Sequence, residues 1–329
     1  MGLIATPLAI DPVTSLIYLL TAVVALVAIP AAVVWMAPSN RLIWAMALAF
    51  GLGTAASTLY GLPGYVYRNY GFTYHPVALA YTCMLTLALV PFLLTMKVRY
   101  RWVVTPPIVV VALVGLWTSG SRTGLVVLIL LVVMVPVMER SLRLGLAVAA
   151  AGVIALPTIL TYDPTSGSTS ALSRLFGSGG AQASDQTRIS TIEDGLQQIQ
   201  QNPLFGNGYS VEHTYVIHNL YLQVFAAEGV IGLVGICLML AALVIPLRTA
   251  TAPQRALCYP AAAAILAGPF QPNMADHYLG LTLGLSLFAA VGVMNRRREK
   301  EDPPDADERP ASGSRSTSTR LLPEPFSST

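Results

Sequence analysis

The stretch SRTGLVVLILLVVMVPVMERSLR, residues 121–143, decides the fold. Residues 123–138 carry no charge and are almost all aliphatic, with Arg122 before them and Glu139, Arg140 and Arg143 after. A helix built from them is apolar on every face, which suits lipid or a protein interior and not water. Comparable runs lie near 13–36, 42–60, 76–96, 102–118, 144–161, 219–247, 256–272 and 278–294. A bilayer crossing takes about 20 apolar residues, so the chain is expected to be all-α, a polytopic membrane protein with about nine transmembrane helices and one large, partly helical external loop. Residues 1–294 form the membrane domain, and the external loop is 162–218. Residues 295–329 form a cytoplasmic tail too rich in Pro, Ser and charge to fold alone.

Composition agrees. The chain is 54% hydrophobic and 11% charged, against about 25% charged in soluble domains. Joining the runs alternately places fifteen of the nineteen Lys and Arg residues on one side, including Arg41, Lys97, Arg99, Arg101, Arg140, Arg143, Arg248, Arg255 and Arg296-Arg297-Arg298. The positive-inside rule makes that side cytoplasmic. The net charge of +3 thus reflects topology and implies no nucleic-acid partner. Cys83, Cys237 and Cys258 fall in or beside the apolar runs, with neither disulfide nor zinc spacing. No cleavable signal peptide is read at the N-terminus.

Four cations remain outside: Arg68, Arg122, Arg174 and Arg188. All four histidines, His75, His213, His218 and His277, map to the same side. The 162–218 loop is too long to be a plain connector. Its first half is a Gly/Ser stretch. Its second half holds an expected amphipathic helix, about 186–201, capped by Asp185, with Ile189, Ile192, Leu196 and Ile199 on an apolar face. Asn202-Pro203 stops it and Gly206-Asn207-Gly208 turns the chain.

Ser121-Arg122-Thr123-Gly124, then Arg188 opening a helix that ends in Asn202-Pro203-Leu204-Phe205-Gly206-Asn207-Gly208, then His218-Asn219-Leu220-Tyr221-Leu222-Gln223, then Glu228-Gly229-Val230-Ile231-Gly232 occur in that order. The series resembles the O-antigen ligase and O-antigen polymerase superfamily of bacterial polysaccharide enzymes. Arg68, Gly71 and His75-Pro76 resemble that family's earlier loop, so the likeness covers roughly residues 60–250. Family members usually have more helices, so some N-terminal helices are expected to be missing here, and Ile192 stands where an aromatic is common.

The resemblance implies a glycan carried on a polyprenyl diphosphate at the outer face of the bacterial plasma membrane and transferred to an acceptor hydroxyl. Partners are then the lipid-linked oligosaccharide donor, a glycan, lipid or protein acceptor, and membrane lipids. Arginine pairs with phosphate through a planar fork, which makes Arg122, Arg188 and Arg68 the expected diphosphate ligands. Arg174, in the Gly/Ser stretch, is read as a bystander. The hydroxyl needs a base, and His218 is the expected one, with His75, Asn219, Tyr221 and Gln223 in support. No Asp-x-Asp pair faces outward, so no metal and no cofactor are expected. The crowded tyrosines near Tyr65–Tyr74 and Tyr209–Tyr221 read as an interfacial aromatic belt. A repeat-unit polymerase, a transporter or flippase of lipid-linked glycans, and a non-catalytic scaffold are the alternatives. Transport favours ionisable groups deep in the membrane. Only Glu228 qualifies, about 15 Å below His218 if the helix between them is straight.

Overall fold

The computed structural model describes residues 7, 9, 11–63, 68–73, 75–160, 170–176, 181–209, 217–270 and 277–301, with backbone alone at 154–160, 277, 278 and 295–301. His213, Tyr65, Tyr67, Tyr74, Tyr215, the His277 side chain, most of the Gly/Ser stretch and nearly all of the 295–329 tail lie outside the described residues.

Helix and turn account for the described chain, with no strand among the described residues. The helices are α1 Pro12–Trp35, α2 Asn40–Gly61, α3 Pro76–Thr95, α4 Arg101–Thr118, α5 Arg122–Met138, α6 Leu142–Leu160 and α7 Ala171–Leu175. They continue as α8 Ala181–Gln201, α9 Leu220–Val244, α10 Pro246–Thr249, α11 Ala252–Ala256, α12 Tyr259–Ala267 and α13 His277–Glu301. A π-helical turn, Val24–Ala28, interrupts α1.

Among the described residues, five helical runs are long and apolar enough to cross a membrane: α1, α2, α3, α4 and Leu220–Thr249. The chain is a multi-pass membrane protein. The expected nine or so are not all found among the described residues, where Arg122–Met138 and the described parts Leu142–Val153 and Leu279–Met294 of their helices are shorter apolar stretches. The run at 256–272 is mostly the nine-residue α12, which spans only about 14 Å. Its alanines are buried within the protein. Helix α3 is the hub, since 72% of its apolar window is buried against 22–33% for the other four runs. Leu79, Met84, Leu85, Leu89, Phe92 and Leu93 of α3 are all fully buried, packed among α2, α4, α5, α11 and α12.

The sharpest departure from the sequence expectation is in α9. At Gly229 the backbone takes φ 70° and ψ −172°, a region open almost only to glycine. Leu220 and Val224 share one apolar cluster with Ile236 and Leu240, and Leu220, Ile236, Met239 and Leu240 line a single cavity. A straight helix would hold Leu220 and Ile236 about 24 Å apart. The helix is therefore two limbs, 220–228 and 230–244, folded back on each other. Residues 230–249 still suffice to cross a bilayer, at about 30 Å.

The break explains two motifs together. Asn207 N–H donates to the Ala226 carbonyl (2.9 Å), Gly208 N–H to Ala227 (3.0 Å), and Val230 N–H to Pro203 (2.9 Å). The Asn202–Gly208 turn thus takes up carbonyls that the broken helix cannot satisfy. Glu228 sits at this tip, accepting from Tyr209 Oη at 2.8 Å. It is not a carboxylate sunk a further 15 Å into the bilayer, because the chain reverses beside it.

The bundle has two chemically distinct ends. At the Met138 end of α5, Arg255 donates to the Met138 carbonyl (2.8 Å) and pairs with Glu139 (3.1 Å), which also accepts from Tyr259 Oη (2.6 Å). Arg101 caps the Leu94 and Met96 carbonyls at the matching end of α3. Arg68, Arg122, Arg174 and Arg188 gather at the opposite end. If the Arg255 end is cytoplasmic, a cysteine at exposed Gln186 labels with an impermeant thiol reagent on intact spheroplasts, and one at exposed Thr249 labels only after permeabilisation, in a background lacking the native cysteines. The reverse pattern would overturn the sidedness.

Candidate active site

The α4–α5 corner builds one wall. Gly120 turns the chain at φ +64°. Ser121 then caps α5, its Oγ accepting from Gly124 N–H at 3.3 Å. A Cβ on Gly124 would lie 2.6 Å from Leu116, so glycine lets the two helices close. Ser121-Arg122-Thr123-Gly124 is thus a corner that projects Arg122 from the first turn of α5.

The 68–73 loop builds the second wall. Asn69 is buried, donates to the Thr58 carbonyl (3.0 Å) and accepts from Gly71 N–H (2.9 Å). Gly71 has φ +56°, and a Cβ there would strike Ser57. Arg68 Nε donates to the Ser119 carbonyl at 2.7 Å, tying loop to corner. His75 caps α3 by accepting from Val77 N–H through Nδ1 at 3.2 Å, so the neutral ring carries its proton on Nε2.

Helix α8 begins at Ala181, ahead of the expected start. Asp185 therefore lies inside the helix and does not cap it. It forms a two-pronged pair with Arg122, NH1 at 2.8 Å and NH2 closer still. The apolar face is packed only in part, with Ile192 and Ile199 half-buried. Ile189 and Leu196 are exposed, while Thr191 and Gly195 are buried. Gly195 admits Ile217, whose methyl would lie 2.6 Å from a Cβ there. This contact seats the segment entering α9, where Asn219 caps the first limb by accepting from Leu222 N–H at 3.0 Å. The cap is thus Asn219, and His218 stands just before it.

These walls border a cavity of about 100 Å³ lined by Arg68, His75, Val77, Gly120, Ser121, Arg122, Arg174, Ser184, Arg188 and His218. Arg68, Arg122, Arg188, His75 and His218, separated by up to 150 positions in sequence, converge as a group. Tyr221 and Gln223 are not in the lining. Tyr221 turns toward α12 and donates to the Ile265 carbonyl at 3.1 Å. Arg174 was missed. The short α7 buries its first four residues against α4 and α5, and Arg174 retains only 7% exposure. Its signal in sequence was the Ser170 cap followed by Ala171-Leu172 and Leu175 around one arginine.

The electrostatics of the cavity are strongly cationic. Burial pulls the Arg68 guanidinium down to about 10, and Arg174, Arg188 and Arg122 add to the effect. Arg174 and Arg188 are lowered by burial and then by their cationic neighbours. The Nε atoms of both are buried without a hydrogen-bond partner among the described residues. Arg122 holds the Asp185 carboxyl below the usual range, chiefly through their hydrogen bonds. His75 is lowered by burial first and then by Arg68, His218, Arg174 and Arg188. Its folded pKa lies below the unfolded value, so this group destabilises the fold as pH falls below about 6.5.

Residues 107–237 match the family model described as O-Antigen ligase. This segment belongs to the O-antigen ligase-like superfamily. The match runs from the first half of α4 through the turn of α9, so the matched segment takes in Arg122, Arg174, Arg188 and His218. Arg68 and His75 join the cavity from outside it. No curated protein matches the chain. The family is one of membrane enzymes of the O-antigen ligase and polymerase type, acting on lipid-linked glycans.

Proposed function

We propose that this protein transfers a glycan from a polyprenyl-diphosphate donor to an acceptor hydroxyl at the outer face of a bacterial plasma membrane, without a metal. The observation that carries it is the convergence of four guanidiniums and His218 on one cavity in the family-matched part of the chain. Buried guanidiniums with unspent donors need an anion, and a diphosphate offers two adjacent ones. His218, lining the same cavity, is the base that takes the acceptor's proton. His75 supports it with Nε2–H. Asn219 and the Arg122–Asp185 pair set the geometry.

Glu228, at the tip of the α9 turn beside Tyr209, no longer marks a path through the bilayer, which removes the main support for a transporter. Ligase and polymerase separate in a deletion strain. Accumulated unligated polymer favours the ligase, a single unextended repeat favours the polymerase, and unaltered glycans would contradict both.

The diphosphate assignment has its own test. Arg188→Ala is expected to lower turnover by roughly 100-fold, the scale of losing one preorganised donor to developing charge. Arg188→Lys keeps the charge but loses the fork, and is expected to remain about tenfold impaired. Near-normal turnover in both Arg122→Ala and Arg188→Ala, at equal protein levels, would defeat the assignment.

A further inference from the structure

Arg174 is the most buried of the four cavity arginines, at 7% exposure, and its Nε has no hydrogen-bond partner among the described residues. Arg122 is already bound by Asp185 through both terminal nitrogens, and Arg68 Nε by the Ser119 carbonyl. A buried donor without a partner among the described residues is costly, so its retention favours a ligand. The charge count indicates which state of the ligand. Four guanidiniums less the Asp185 carboxylate leave three positive charges around the cavity. The donor diphosphate, esterified at both ends, carries two negative charges. The released monoester gains a third, since the second ionisation of a terminal phosphate lies near pH 6. The site is matched to the leaving group and overcharged for the ground state, which is how binding energy lowers a barrier.

We propose that Arg174 is a catalytic residue whose guanidinium stabilises the negative charge arising on the diphosphate as the glycosidic bond breaks. The inference rests on the donor assignment above. The acceptor oxygen bonds to the anomeric carbon, and its proton passes to His218. The electron pair of the broken carbon–oxygen bond stays on the diphosphate oxygen, which leaves as the monoester. Arg174 faces that oxygen, with Arg68 and Arg188 on the two original charges.

The test uses the full chain in proteoliposomes with a purified polyprenyl-diphosphate-linked glycan. In Arg174→Gln, kcat is expected to fall about tenfold or more while the donor KM changes less than about threefold. Inhibition by free polyprenyl diphosphate should weaken by about the same factor as kcat. The thermal midpoint of the unliganded protein should hold or rise, because one of four facing like charges is gone. A raised KM with kcat kept would overturn the proposal by making Arg174 a ground-state ligand. So would a lowered midpoint and lowered kcat both restored in Arg174→Lys, the mark of a structural role. Wild-type kinetics in Arg174→Gln beside an inactive Arg188→Ala would overturn it and leave the donor assignment standing. Absence of diphosphate release by the wild type would overturn both.

Discussion

His218→Ala is expected to cut glycan transfer by roughly 100-fold or more, the usual range for losing a general base. His218 lines the cavity with the four arginines and precedes the α9 cap without serving as it. Donor binding should survive, because the guanidiniums remain. His218→Asn separates base from scaffold. Asparagine matches the ring's polarity and caps helices well, yet it is a negligible base, so the variant should be as inactive as alanine. The wild-type rate should fall with pH through the range where histidine titrates, about 6.5 when unperturbed. The sign follows from the role: protonation removes the lone pair that accepts the acceptor's proton. That acid limb should be missing from the residual activity of His218→Ala. Wild-type-like turnover in His218→Asn would remove this residue from the chemistry.

Gly229→Ala is expected to be nearly as damaging, for a reason with no chemistry in it. The added Cβ would sit 2.1 Å from the Leu204 carbonyl oxygen and 2.6 Å from Phe205 N, both backbone atoms held by the turn. The conformation alone costs alanine on the order of 1–3 kcal/mol, and the clash adds to it. The limb bearing His218 and Asn219 hangs from this turn, so the cavity should come apart even where some protein folds. Gly235→Ala is the control. It lies in the second limb of the same helix with nothing within 4 Å of its Cβ, and alanine favours a helix. Folded yield and thermal midpoint in detergent should drop sharply for the first variant and stay level or rise for the second. A normal yield and midpoint for Gly229→Ala would mean that α9 runs straight and that Glu228 lies deep after all.

What the sequence disclosed follows from which signals are local. Clear apolar runs and the cation asymmetry need no tertiary information, and they marked every helix from α1 to α6. The four motif blocks marked Arg122 and His218 because each lies at a helix start, where polar residues interrupt apolar ones, and Arg188 because it stands in the polar external loop, although the fold places it inside α8. Arg174 escaped because Gly and Ser around α7 read as loop, and a five-residue helix is ordered only by burial against α4 and α5. The reversal at Gly229 escaped because leucine and valine on both sides keep the run apolar. The available signal was length: at 29 residues, 219–247 exceeds the roughly 20 that one crossing needs. Asp185 suited a cap by type, and only the fold revealed Arg122 within reach. The packed face of α8 was legible only in part, because close approach through Gly195 won over the burial of Ile189 and Leu196.

The most direct measurement is single-turnover transfer by the purified full chain in proteoliposomes, given a polyprenyl-diphosphate-linked glycan and an acceptor. Released lipid diphosphate and joined glycan are counted together, for wild type and His218→Asn. The expected result is one diphosphate freed per glycan joined in the wild type, with neither product from the variant although it still binds donor. Joined glycan without released diphosphate, or equal transfer by His218→Asn, would contradict the account.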